Sequence, residues 1–202
     1  MLSVKEEGQR VKVLRIICIL TFPHLWIKHF CNLMKTTDYF QRLSQYNHWM
    51  NERLYEVCDS IPDAIRKEDR GAFFGSIHGT LNHILLADKL WLGRFKHQLF
   101  EVHSLNQELY ADFKSLHQER QKTDQEIQAW VDSLTDEQLA APFRFTSIAK
   151  AREFVFPLWH IAAHFFNHQT HHRGQLTTLL TQSGYDPGVT DLLLLPGTEI
   201  EE

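Results

Sequence analysis

From Tyr39 onward the apolar residues return every three or four positions, and one short stretch alone keeps a two-residue period. A repeat near 3.6 held over several turns is met by a helix that buries one face, whereas alternation is met by a strand. The first helix is expected over about residues 37–60, with Phe40, Leu43, Met50, Leu54, Val57 and Ile61 on its stripe and Pro62 as its stop. A second covers about 73–99 through Ile77, Leu81, Ile84, Trp91 and Phe95, and a third about 106–134 through Leu109, Phe113, Leu116, Ile127 and Trp130. Residues 143–146 and 152–156 alternate on either side of a small-residue turn, which reads as a hairpin. Pro157 suits the first turn of a last helix over 157–183, and Gly184 its end. The expected fold is all-α: an antiparallel four-helix bundle with mostly short connections and a small hairpin-like excursion before the last helix.

The 202 residues are 43% hydrophobic, enough for one core. A formal charge of −4 offers no broad basic footprint, so nucleic acid is not an expected partner. Cys18, Cys31 and Cys58 are too few and scattered for a disulfide framework, which points to a reducing interior and a cytoplasmic setting. Residues 1–33 differ from the rest: five basic residues against Glu6 and Glu7 give a local +3 and leave −7 for the remainder. Their apolar run, Ile16 to Leu20, is far short of the roughly 20 residues that span a bilayer, and bulky residues follow it where a signal peptidase wants small ones. No membrane partner is expected. Residues 1–33 read most plainly as an extension outside the domain, such as an upstream start codon would add, with a peripheral anchor as the alternative, 34–184 as the bundle, and 185–202 as a C-terminal tail.

Five of the 13 histidines lie between His160 and His172. His160, His164, His168 and His172 recur every four residues, so each adjacent pair can offer two imidazoles to one ion from successive turns. On a wheel centred on Phe165, whose stripe holds Leu158, Ile161, Leu176 and Leu179, His172 falls about 20° and His168 about 60° from the centre, while His164, His171 and His160 turn toward the flank. Only His168 and His172 both face inward. Buried rings need partners, and a divalent ion supplies one to both. Their spacing matches the outer frame of the His-Glu-x-x-His zinc-protease helix, but the second position is Gln169, an amide that takes no proton. A third ligand is expected from the second helix, where His78, His83, His97 and the inward carboxylate of Asp88 all compete. Asn47 faces the core from the first helix and reads as a donor behind the site.

Three segments, 46–54, 79–88 and 166–175, resemble the DinB/YfiT-like superfamily, and specifically its damage-inducible DinB group. The most specific is Phe166-Asn167-His168-Gln169-Thr170-His171-His172-Arg173-Gly174-Gln175. The resemblance implies a four-helix bundle, often a homodimer, with one divalent ion held by His83, His168 and His172. It further implies metal chemistry on a small-molecule substrate, of the kind run by thiol-dependent transferases, isomerases or hydrolases. A three-histidine site with an open position lowers the pKa of a bound thiol or water, so that a nucleophile forms near neutral pH. Zinc and nickel both suit imidazole, and a low-molecular-weight thiol is a candidate cofactor. His171 is the candidate proton shuttle, and Asn47 and Arg173 are candidate cofactor contacts, Arg173 for a thiol's carboxylate. The competing classes are a stress-linked binding or scaffold protein whose ion only ties two helices together, and a metal-free bundle whose Trp49, Trp91, Trp159 and Phe165 line a pocket.

Overall fold

Asp38 accepts a hydrogen bond from the backbone N–H of Lys35 at 3.0 Å and so fixes the start of α1, Thr36–Asp59, which ends ahead of Pro62. The computed structural model describes residues 34–148 and 150–199; the basic N-terminal segment, with Cys18 and Cys31, lies outside the described residues. A single turn, α2 (Asp63–Arg66), follows. Ser76 caps α3, Ile77–Phe95, by accepting from Gly79 N–H at 3.0 Å, and Asp112 caps α4, Phe113–Asp132, by accepting from Lys114 and Ser115. Each cap satisfies helix donors that would otherwise lack partners. A short α5, Asp136–Ala140, leads to the hairpin of β1 (Pro142–Ser147) and β2 (Arg152–Pro157), in which Phe145 sits opposite Phe154. The last helix, α6, is Leu158–Gln182, and Gly184 takes the left-handed φ of 85° that closes it.

The four long helices pack around two apolar clusters with a polar layer between them. One cluster gathers Met50, Leu54, Leu81, Leu85, Leu116, Leu176 and Leu179; the other gathers Phe40, Trp91, Leu92, Ile127, Trp130, Ile161 and Phe165. Between them Arg120 bridges Asp88 and Asp124, Asn51 donates to Asp124 at 2.9 Å, and Gln169 donates to Asp88 at 2.8 Å. Every long helix contributes to this layer, so Asp88, Arg120 and Asp124 find opposite charges and the helices are held in one register.

The order in which each helix meets the clusters gives its direction. α1 and α6 pass from the second cluster to the first, whereas α3 and α4 both pass from the first to the second. The pairs α1/α4 and α3/α6 are therefore antiparallel, while α3 and α4 share a direction. The bundle and hairpin stand as expected; the short connection between the second and third long helices does not. Residues 96–112 form a long strap that returns along the bundle, and the helix expected from about 106 begins at Phe113. Leu109 continues the helical period but belongs to the strap, because its backbone N–H and that of Tyr110 are both bound by the Asn82 carboxamide. Residues after 184 also return to the bundle: Tyr46 donates its hydroxyl to the Thr190 carbonyl, and Leu195 is buried in the first cluster. Among the described residues no helix is long and apolar enough to cross a membrane.

Candidate metal centre

Because α3 and α6 run antiparallel, the middle of one faces the middle of the other, and His83 meets the two histidines that α6 presents one turn apart. His83 Nε2 lies 3.2 Å from His172 Nε2, which lies 3.1 Å from His168 Nε2. The ligand atoms of the three rings all fall within 4.8 Å of one another. Metal–nitrogen bonds of ~2.0–2.1 Å set neighbouring nitrogens roughly 3.3–3.4 Å apart at tetrahedral angles and roughly 2.9 Å apart at right angles. The two short separations fall between these values.

Proton positions make the same case. His83 Nδ1 is 2.8 Å from the Leu105 carbonyl, which can only accept, so Nδ1 carries the proton and Nε2 presents a lone pair. His172 Nδ1 donates to Gln175 Oε1 at 2.8 Å with the same result. Two lone pairs then face each other across 3.2 Å, with no proton between them. Adding one is disfavoured: burial pushes the His83 pKa down to about 4, and burial followed by repulsion from the neighbouring imidazoles pushes His168 down to about 3. Burial lowers His172 as well. A divalent cation is the partner that three convergent neutral imidazoles suit.

The surroundings hold these rings in place. Asn82, next to His83, accepts from the backbone N–H groups of Leu109 and Tyr110 at 2.9 and 3.0 Å and donates to the Tyr110 carbonyl at 3.1 Å. One turn of α3 thus clamps the strap with one residue and draws from it, through Leu105, the acceptor that orients the next. Phe74, in the loop before α3, stacks on His83 with ring centres 3.7 Å apart and meets His172 edge-on at 5.4 Å. That approach requires Gly79, where a Cβ would stand 2.1 Å from the Phe74 carbonyl oxygen. Neither Phe74 nor the strap is legible in the sequence, since both act across turns that no helical period reveals.

The other candidates lie elsewhere. Asn47 and Arg173 are buried and bound to each other, and Arg173 also donates to Thr170 at 3.2 Å, so the two candidate cofactor contacts hold α1 to α6 inside the core. His171 is exposed and accepts from Gln175 Nε2 at 3.3 Å. Asp88 is engaged by Arg120 and Gln169 rather than by the imidazoles. His78 is tied to the Tyr110 carbonyl at 2.9 Å. Burial pushes the Cys58 thiol up to about 12, so it offers no thiolate. A cavity of about 430 Å³ opens beside the imidazoles, bordered by His83 and His168 together with His160, His164, Trp91 and the hairpin phenylalanines.

Comparisons with known proteins bear on the family and the fold. The DinB family model matches residues 34–202, and so includes the segment after Gly184. Protein DinB of Bacillus subtilis (strain 168) is 25% identical over 164 residues, covering 77% of this chain and 92% of that protein. The crystal structure of a DinB-like protein from Bacillus cereus superposes with a TM-score of 0.53 at 21% identity, covering 70% of this chain and 91% of that one, a likeness of fold.

Proposed function

Since the chain belongs to the DinB family, we propose that it is a divalent-metal-dependent enzyme in which His83, His168 and His172 hold one zinc or nickel ion and a small-molecule substrate enters from the adjoining cavity. The observation that carries this reading is the convergence of three Nε2 atoms, two of which present lone pairs because their Nδ1–H groups are bound to Leu105 and Gln175. When bound, the ion supplies Lewis acidity that lowers the pKa of a thiol or a water at its remaining position. The chain's own residues orient the ligands, exclude water from one side through Phe74, and leave the other side open to the cavity. Two ligands border that cavity, so a low-molecular-weight thiol or a water and an electrophile can meet there. Gln169 donates to Asp88 and points into the core, so it does not serve as the base that a His-Glu-x-x-His helix supplies. A metal that merely tied helices together would call for four protein ligands, and the described residues group three.

Elemental analysis of the purified protein, together with His168→Ala and His172→Ala, tests the site. About one divalent ion per chain in the parent and none in either variant is expected, and retention of metal by both variants overturns the assignment. Transfer of several low-molecular-weight thiols to electrophilic probes, with and without chelator, tests the chemistry. Activity that survives complete chelation contradicts it.

A further inference from the structure

The cavity beside the imidazoles follows one stripe of α3. His83, Ala87, Leu90 and Arg94 all border it, and eleven residues of helix bring Arg94 within about 20° of His83 and about 16 Å further along the axis. Phe145 and Phe154, opposite one another in the hairpin, and Phe156 close it from the far side. The hairpin is thereby the wall of a cavity that has His83 and His168 toward one end and the Arg94 guanidinium toward the other, with His160 and His164 also on its lining. Arg94 and Lys150 line this space and no aspartate or glutamate does, although the chain's formal charge is −4.

Arg94 is the less usual of the two cations. Its guanidinium lies 4.4 Å over the Trp91 ring and 5.1 Å from that of Phe145, and Nη2 donates to the Thr146 carbonyl at 3.0 Å. Of the buried arginines, Arg120 and Arg66 meet Asp88, Asp124 and Asp63, and Arg173 meets the neutral side chains of Asn47 and Thr170. Among the described residues no carboxylate pairs with Arg94. Its surroundings desolvate it without an opposing charge, while the planar fork keeps donors for an oxyanion.

We infer that the cavity binds a small organic anion, with its apolar or aromatic body among Trp91, Phe145, Phe154 and Phe156 and its carboxylate or sulfonate group on Arg94. This deepens the reading of the metal centre and rests on it only for the reactive end of the molecule. The anion site itself consists of residues other than the three metal ligands.

Fluorescence titrations with 1-anilinonaphthalene-8-sulfonate and with uncharged N-phenyl-1-naphthylamine test it, run on metal-loaded and on chelator-treated protein whose metal content is measured. The parent is expected to prefer the sulfonate. Arg94→Met removes that preference by about tenfold or more, the size of a lost charge-assisted hydrogen bond, and leaves binding of the uncharged dye in place. Arg94→Lys retains most of the preference. An unchanged preference in Arg94→Met overturns the inference, and so does an equal loss of both dyes, which would assign Arg94 only to holding the hairpin. Normal metal content with no Arg94 effect removes the anion site alone; an Arg94 effect in protein that never holds metal removes the metal reading alone.

Discussion

Replacing Asn82 by alanine removes the clamp between α3 and the strap while leaving all three imidazoles in place. The Leu109 and Tyr110 N–H groups lose their acceptor, and the Tyr110 carbonyl loses a donor. At about 1 kcal/mol net for each of these bonds, the bundle loses roughly 3 kcal/mol. For a domain of this size each kcal/mol shifts the midpoint by about 2–4 °C, so chelator-treated protein should melt roughly 6–12 °C lower. The strap also carries the Leu105 carbonyl that orients His83, and loss of such an outer partner weakens metal binding by about 10- to 100-fold. Differential scanning calorimetry and a metal titration against a chromophoric chelator read the two effects separately. Asn82→Asp, which keeps the acceptor and loses the donor, should fall between parent and Asn82→Ala in metal affinity. A variant that melts lower but binds metal as tightly as the parent would refute the link between strap and ligand.

Two further outcomes follow from the same contacts. Gly79→Ala, which in an open helix interior would add about 0.5–1 kcal/mol of stability, should here lose about 1–3 kcal/mol, because the new Cβ meets the Phe74 carbonyl oxygen at 2.1 Å and overpacking displaces the loop; a raised melting temperature would contradict this. Metal-free protein should lose stability in acid. His83 and His168 have folded pKa values of about 4 and about 3, below the ordinary 6.5, so the unfolded chain binds more protons and stability is full above pH 6.5 and falls as pH drops toward 4 and 3. Melting temperatures between pH 7 and pH 4 should decline more gently in His168→Gln than in the parent, and parallel curves would count against the burial of these rings.

How far sequence reaches into this site depends on the helix that carries each residue. On α6 a polar flank sets off an apolar stripe, so the wheel alone separates His168 and His172 from His160, His164 and His171, and burial follows it: His172 is buried and His168 half-buried, while His160, His164 and His171 are exposed. On α3 fifteen of the nineteen residues are buried, leaving no polar face against which to orient a wheel, and His83 could not be told from His78 or Asp88 until the resemblance singled it out. The helical period turns Asn47 inward, as the structure has it, but its partner, Arg173, lies 126 positions away, and no local pattern records that pairing. The sequence period starts the third long helix earlier than Phe113 because Leu109 falls on that period by coincidence of spacing. The strap's real determinant is a side chain on another helix. The hairpin was expected from its alternation, whereas its use as a cavity wall depends on how β1 and β2 dock against α3 and α6.

X-ray absorption at the metal edge, on protein loaded with one equivalent of zinc or nickel, tests the convergence of the three rings most directly. Three imidazole nitrogens at ~2.0–2.1 Å, with no sulfur among the protein ligands and the remaining position taken by a light atom, are expected. A spectrum with fewer than three imidazoles, or with cysteine sulfur in the coordination shell, would contradict the assignment of His83, His168 and His172 to one ion.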